Sequence, residues 1–357
     1  MNLSNIYPVV IAGGRGERFW PKSRTSRPKQ FLRIFGRTSL IQDTQRRITH
    51  LAPVSNHRYV VPEVYLHLLF KEIRVHRSSV LVEPEGKNTF PAICLAAVHL
   101  PNDGIMVVLP SDHLIRQEGN FYRAVKFACE LAEKEYFVLF GIEPTRVETG
   151  YGYIKIGEKI SEKEDLIAFT GLSFREKPDY ETCQTYLASK LYLWNSGIFC
   201  WRVELFLKEV ANHYPDFFRY LSNYQKAIGT KNEKNELKEL YKKAPAISVD
   251  YALMEKVTRI AVVKGNFLWD DVGNWLALER HFKKDPLGNV RIGPIIPLES
   301  SNSILYTEDT PIFPFGVSDL IVVKTKDLLF LCPKEKAEEI KRFLNFLAGN
   351  IKGKRFL

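Results

Sequence analysis

Arg15, Arg18, Lys22, Arg24, Arg27 and Lys29 crowd into fifteen residues just behind the apolar run VVIA, with Glu17 as the one carboxylate among them. Gly13, Gly14 and Gly16 open this stretch. Glycine lets backbone N–H groups come close to a phosphate, and nearby cations neutralise its charge. The composition is that of a phosphate-binding turn leaving a buried strand. A turn needing only a positive φ has no use for six cations, so the purely structural reading loses ground. The stretch is not a Walker A loop, because no GK[ST] closes it, and it lacks the third glycine of the dinucleotide fingerprint.

The 357 residues carry a formal charge of +10. Most of the excess is local: residues 1–50 hold ten Lys or Arg against Glu17 and Asp43, a balance of +8. Charge gathered this way favours the phosphates of a small molecule over an extended nucleic-acid track. Aromatic residues do not interleave with cations along a strand surface, so nucleic acid is not an expected partner. Cys94, Cys129, Cys183, Cys200 and Cys332 are too scattered for a CxxC zinc site and odd in number, and read as small apolar residues in a reducing compartment. No basic-then-apolar leader opens the chain, and no run approaches the roughly 18 apolar residues of a membrane span. A cytoplasmic protein without membrane contact is expected.

The loop needs a scaffold. Apolar, β-branched runs at 7–12, 58–61, 79–84, 105–110 and 136–142 alternate with helical periods at 38–51, 89–100 and 120–135. Near-continuous apolar strands between helices imply an α/β domain, doubly wound about a mostly parallel sheet. Ligands of such sheets sit beyond the carboxyl ends of the strands. Three runs end there in polar turns, AGGRGER, EPEGKNT and PSDH, which should face one cleft. Longer β segments follow at 151–157 and 166–178, with helices near 179–190, 203–228 and 248–257. Short strands punctuated by Pro, Gly and Asn fill 287–332, before a helical stretch in which Ala337, Ile340, Leu344 and Leu347 share a face. That face packs internally or against a second copy, a homodimer. The expected domains are 1–284, catalytic, and 285–357, small and β-rich, ending in a helix.

The pattern Gly14-x-Gly16-x-Arg18-x-x-Pro21 with Pro28-Lys29 resembles the signature of sugar-1-phosphate nucleotidylyltransferases. The longer GGRGERFWPKSRTSRPKQF is similar to the mannose-1-phosphate guanylyltransferase branch, the GDP-mannose pyrophosphorylases. EPEGKNTFPAICLAA, LPSDHLI, GIEPTRVETGYGYI, FREKP, WNSGIF, SVDYALME and WDDVGNW follow in the family's order, so the likeness spans nearly the whole chain. It implies a Rossmann-like nucleotide-diphospho-sugar transferase fold with a partial left-handed β-helix at the C-terminus.

The resemblance also implies a reaction. A sugar-phosphate oxygen of mannose 1-phosphate attacks the α-phosphorus of GTP in line, and pyrophosphate leaves. Both partners are anionic, so catalysis is mostly positioning and charge stabilisation. Gly13, Gly14, Arg15 and Gly16 would hold the triphosphate, Arg18 and Lys29 would stabilise the transferring phosphoryl group, and Asp112 with Asp271 would hold Mg²⁺. Asp271 is preferred to Asp270 because the family shows Trp-x-Asp-x-Gly, here after Trp269. Asp112 taken alone reads equally as a helix N-cap, and His113 as a structural hydrogen-bonding residue rather than a ligand. Gly86, Asn88 and Thr89 would meet the guanine edge, though Asn88 and Thr89 also suit a helix cap. Gly150, Glu176, Lys177 and Asn195 would meet the sugar phosphate. Asp250 is set aside as the cap of the helix that follows it. Lys87, Phe90 and Val147 depart from the family's usual Arg, Ala and Pro.

Three other readings compete. A sister transferase would use another base or hexose phosphate. A non-catalytic nucleotide-sugar-binding regulator would be favoured by loss of Arg18, Lys29, Asp112 or Asp271, all of which are present. A nucleic-acid binder would rest on net charge alone. Some relatives carry an added isomerase domain of cupin type; here a single activity is expected.

Overall fold

The computed structural model describes residues 3–357. Packing divides the chain into two compact units, Met1–Gly13 with Ile41–Asp271, and Gly14–Leu40 with Val272–Leu357. The cation-rich stretch therefore belongs with the C-terminal residues, whereas the sequence pattern alone places the boundary at 284/285.

The first unit carries β1 (Ile6–Ile11), β2 (Arg58–Pro62), β3 (Val80–Glu83), β4 (Ile105–Pro110), β5 (Leu114–Arg116), β6 (Phe137–Ile142), β7 (Gly152–Lys163), β8 (Leu166–Glu176), β9 (Tyr192–Arg202), β10 (Ile260–Lys264) and β11 (Leu268–Asp270). Nine of them form one sheet in the order β3-β2-β1-β4-β9-β6-β10-β8-β7. The strands β3, β2, β1 and β4 run parallel, as their unbroken apolar runs imply. β9 then enters antiparallel between β4 and β6, and β8 and β7 close the far side as an antiparallel pair, so the sheet is mixed. Because β1, β3 and β4 are parallel, Gly13, the segment 84–89 and the turn 111–113 all leave the same edge of the sheet.

Helices α1 (Leu40–Ile48), α2 (Leu66–Glu72), α3 (Thr89–Ala97), α4 (Glu118–Ala132), α5 (Tyr180–Ser189), α6 (Val203–His213), α7 (Pro215–Ala227) and α8 (Glu233–Lys243) complete this part of the chain. α3 is buried from Phe90 to Ala97, which its apolar sequence permits on every face. The single helix expected over 203–228 is two. Pro215 lacks an N–H and pushes Tyr214 out of the α region, to φ −136° and ψ 58°, so one helix ends and the next begins there. The helical period at 248–257 shrinks to one turn, Asp250–Met254.

The second unit contains α9 (Leu278–His281), β12 (Val290–Ile292), β13 (Ile304–Thr307), β14 (Leu320–Lys324), β15 (Leu329–Pro333) and α10 (Ile340–Gly349). β12, β13 and β14 pair in parallel, and further parallel bridges join Ile295 to Ile312, Leu298 to Phe315 and Ser301 to Ser318. A step of 17 residues recurs at these bridges and between β13 and β14, after one of 14 between β12 and β13, and is the mark of a chain coiling as a β-helix. β15 reverses direction and ends it. Of the four residues that share a face, Ala337, Ile340 and Leu344 are buried and Leu347 is partly buried. All five cysteines are buried and unbridged. Among the described residues, no helix is long and apolar enough to cross a membrane.

Candidate functional site

β4 ends at Pro110, and the chain turns through Ser111, Asp112 and His113 into β5. β5 pairs antiparallel with β11, Leu114 opposite Asp270 and Ile115 opposite Trp269. Extending that register by one residue sets Asp271 opposite His113, next to Asp112, so one short ribbon carries both aspartates at its open end. Asp112 leads into a strand, so the helix-cap alternative for it does not apply. His113 Nδ1 accepts a hydrogen bond from Trp269 Nε1 at 3.1 Å, which is the structural role expected of it. Asp270 lies inside the ladder and is buried, while Asp271 follows it.

Tyr151 fixes Asp271. Its hydroxyl donates to Asp271 Oδ1 at 2.7 Å and accepts from Arg146 Nη2 at 3.3 Å. The ring is wedged edge-on against Trp194 and Trp269, with centroids at 5.3 and 5.1 Å. Burial, with Asp271 and Asp270 alongside, raises the phenol far above its ordinary value, so the hydroxyl stays a donor. Among the described residues, no cluster of three or more His, Cys, Asp or Glu gathers for a metal. A pair of carboxylates still suits Mg²⁺, which takes phosphate oxygens and water at its remaining positions.

The turn after β3 runs Glu83-Pro84-Glu85-Gly86-Lys87-Asn88-Thr89 into α3. Asn88, at φ 74°, caps that helix by accepting from Thr89 N at 2.9 Å. Thr89 Oγ1 accepts from Val249 N at 2.9 Å. The two side chains expected to read a base are thus engaged in holding the turn. Gly86 is open, its nearest neighbour Pro62 Cγ at 4.0 Å from where a Cβ would stand. A Cβ at Gly13 would stand 3.6 Å from Glu83 Oε2 and 3.8 Å from the Pro62 ring. Glu83 is buried, accepts from Tyr241 Oη at 3.1 Å, and has its carboxyl pushed up to about 7 by burial.

On the other side of the same sheet, Gly152 pairs with Glu176 and Tyr153 with Trp194. A Cβ at Gly152 would strike Glu176 Oε2, so glycine is required for the carboxylate to sit there. Lys177, at φ 47°, reaches back to Glu176 Oε1 at 2.5 Å. Gly150 N donates to Glu148 Oε1 at 3.2 Å. Asn195, buried in β9, donates from Nδ2 to Asp250 Oδ1 at 2.8 Å and accepts from Gly197 N at 3.1 Å. Burial first, and the Glu176 charge second, push the Asp250 carboxyl up to about 6. Asp250 is therefore not the helix cap that its sequence position suggests: Val249 occupies the cap position, and the carboxylate serves Asn195.

The second unit holds the cation loop. Gly16 has φ +62°, and a Cβ there would overlap Lys29 Cβ. Ser23 Oγ donates to Gly16 O at 2.6 Å and braces the turn. Lys29 is buried, while Arg15 and Arg18 are exposed enough to meet a ligand, Arg15 lying 3.7 Å from Glu17 and Arg18 3.3 Å from Glu338. Lys22 pairs with Glu308, and Arg24 makes two 2.7 Å bonds to Asp327, whose carboxyl it holds down at about 2. Arg27 bonds Phe31 O. Part of the local +8 is thus answered by carboxylates of the β-helix, Glu308 for Lys22 and Asp327 for Arg24.

The sequence pattern of the Nucleotidyl transferase family matches residues 7–286, and that of the MannoseP isomerase/GMP-like beta-helix domain matches residues 293–347. The mannose-1-phosphate guanylyltransferase of Salmonella muenchen is 38% identical over 364 residues, taking in 98% of this chain and 74% of the relative. Its namesake in Escherichia coli strain K12 is 38% identical over 355 residues, 96% of this chain and 73% of the relative. The chain belongs to the nucleotidyl transferase family, in its mannose-1-phosphate guanylyltransferase branch. A solved structure described as mannose-1-phosphate geranyltransferase from Thermus thermophilus shares the fold with a TM-score of 0.86 and 34% identity, covering 96% of this chain and 99% of that one.

For a member of this guanylyltransferase branch, Tyr151 and Glu83 are the residues that sequence reasoning passes over, and Asp250 the one that it weighs and sets aside. Each lies inside a motif already quoted, in ETGYGYI, SVDYALME and EPEGKNT. The signal that could have found them is chemical: a tyrosine or carboxylate amid apolar neighbours is buried only with a partner.

Proposed function

We propose that this protein joins GTP and α-D-mannose 1-phosphate to give GDP-mannose and pyrophosphate, with residues 1–284 as the catalytic part and 285–357 as its β-helical appendage. The observation that supports the reading is the β5–β11 ribbon, whose register, carried one residue past Asp270–Leu114, sets Asp271 opposite His113 and beside Asp112, with Tyr151 bonded to Asp271. Mg²⁺ held by these carboxylates would neutralise phosphate charge and orient the α-phosphorus.

The chain's own residues supply the rest. Backbone N–H groups of Gly13, Gly14 and Gly16, with the Arg15 guanidinium, receive the triphosphate. Arg18 and Lys29 place positive charge where negative charge develops as the α-phosphorus becomes five-coordinate, a contribution worth roughly 10²–10³ in turnover per donor. Gly86, Asn88 and Thr89 shape the rim that receives the guanine. Glu176 accepts from hexose hydroxyls, Asn195 and the Gly150 backbone fix the sugar's approach, and Lys177 meets its phosphate. The nucleophile is a phosphate oxygen already ionised at neutral pH, so no general base is required.

A screen of the four common nucleoside triphosphates against several sugar 1-phosphates, read as pyrophosphate release, tests this directly. GTP with mannose 1-phosphate is expected to give the highest kcat/KM. A higher value for another pair would make the protein a sister transferase, and no release from any pair would favour the non-catalytic regulator.

A further inference from the structure

Resting on that reading of the reaction, we infer that Glu338 is a positioning residue for Arg18, its carboxylate tying the guanidinium to Asn274 so that the fork meets the α-phosphate in one orientation. Arg18 Nη1 lies 3.3 Å from Glu338 Oε2, and Asn274 Nδ2 donates to Oε1 of the same carboxylate. Asn274 is itself fixed: it is buried, and its Oδ1 accepts from Leu276 N at 2.8 Å. Glu338 is held from its own side, because Ala337 before it and Ile340 shortly after it are buried. Trp275, next to Asn274, secures the backbone of the loop. Its Nε1 donates to Trp20 O at 2.9 Å, and its ring packs on the buried Phe19 with centroids at 5.3 Å. The main chain around Arg18 and the end of its side chain are thus fixed from one short stretch, Asn274 and Trp275, that closes the segment WDDVGNW.

The bridge needs a carboxylate. Two donors converge on Glu338, and an ionised carboxylate accepts at both of its oxygens. A glutamine would turn its NH₂ towards one of them, and Asn274 cannot flip to suit it while Leu276 N holds its Oδ1. Fold stability does not explain the arrangement. The Arg18 and Glu338 side chains are 41% and 63% exposed, and a pair so open to water contributes little to folding. Lys22 and Arg24, paired with Glu308 and Asp327, are 17% and 20% exposed. Arg18 is therefore the one of these three cations that a ligand reaches most readily. Its contact with Glu338 uses a single nitrogen and leaves the remaining N–H donors of the fork for phosphate oxygens. A guanidinium already aimed has less to reorganise as charge develops on the phosphoryl group.

The test measures pyrophosphate release from GTP and mannose 1-phosphate, with thermal melts, in the parent, Glu338→Ala, Glu338→Gln, Asn274→Asp, Arg18→Ala and the double variant of Arg18→Ala with Glu338→Ala. Glu338→Ala should lower kcat by about 10-fold, less than the loss of Arg18 itself, with the apparent KM for mannose 1-phosphate and the melting temperature nearly unchanged. Glu338→Gln, which keeps one of the two contacts, should recover part of that loss. Asn274→Asp still accepts from Leu276 N but repels Glu338, so it should match Glu338→Ala, and it serves if Glu338→Ala does not fold. In the Arg18→Ala background, Glu338→Ala should change kcat by less than about 2-fold, since a residue acting through Arg18 has nothing left to position. A folded Glu338→Ala with parent-like or higher kcat, or one whose loss adds in full to that of Arg18→Ala, overturns the assignment. A parent that releases no pyrophosphate from this pair of substrates instead overturns the functional reading on which it stands.

Discussion

Tyr151 Oη lies 2.7 Å from Asp271 Oδ1, and the ring that carries it is locked between Trp194 and Trp269. A carboxylate held this way presents its second oxygen in a fixed direction. Outer-shell partners of this kind typically affect metal affinity or activity by 10- to 100-fold. Tyr151→Phe should therefore raise the Mg²⁺ concentration needed for half-maximal pyrophosphate release by about 10-fold and leave the melting temperature nearly unchanged. An unaltered Mg²⁺ requirement would reduce Tyr151 to a packing residue.

The cations of the N-terminal loop should separate into two classes. Arg18→Ala and Lys29→Gln are expected to lower kcat by roughly 10²–10³, as loss of a preorganised donor does. Arg24→Ala should leave kcat intact and cost about 1 kcal/mol, since Asp327, its partner, is about half exposed. Asp327 has a folded value of about 2, below its ordinary 3.8, so the stability it brings is present above pH 3.8 and disappears as pH falls towards 2. Denaturation of Arg24→Ala beside the parent should show a small deficit at pH 7 that vanishes at strongly acid pH.

Gly16→Ala tests the turn itself. A left-handed φ costs an L-residue roughly 1–2 kcal/mol, and the new Cβ would run into Lys29. The variant should melt several degrees lower and lose activity beyond that of Gly14→Ala, whose Cβ would meet nothing within 4 Å. Equal behaviour of the two would contradict the close packing of Gly16 on Lys29.

At the hexose end, Asp250→Asn separates position from charge. The folded carboxyl at about 6, against 3.8 unfolded, contributes stability that is complete below pH 3.8 and is lost as pH rises through 6. Stability of the parent should fall across that interval, and that of Asp250→Asn should fall less. The apparent KM for mannose 1-phosphate should rise, because Asn195 loses the anionic partner that orients it. KM for GTP should not move. A rise shared by both substrates would mean that the residue supports the fold alone.

The strands β1 to β4, β6, β7 and β8 were legible because each is an unbroken or alternating apolar run. β9 was not: Asn195, Ser196 and Gly197 interrupt its apolar pattern, and its place between β4 and β6 is a long-range choice that no local period announces. Partners of the cation loop were hidden for a similar reason, Arg18 reaching Glu338, Lys22 Glu308 and Arg24 Asp327 from the far end of the chain. The residue types of the candidate site stood out through charge and glycine spacing. Which of them bind and which brace depends on contacts such as Thr89 with Val249 or Asn195 with Asp250, which only folding makes.

The most direct test of the whole account is pyrophosphate release from GTP and mannose 1-phosphate, titrated with Mg²⁺, in the parent, Asp112→Asn, Asp271→Asn and the double variant. Acting as one ion-holding pair, the aspartates should each be worth at least about 10³ in kcat/KM, with the double variant little worse than either single one. Parent-like turnover in Asp112→Asn or Asp271→Asn at saturating Mg²⁺ would contradict the account.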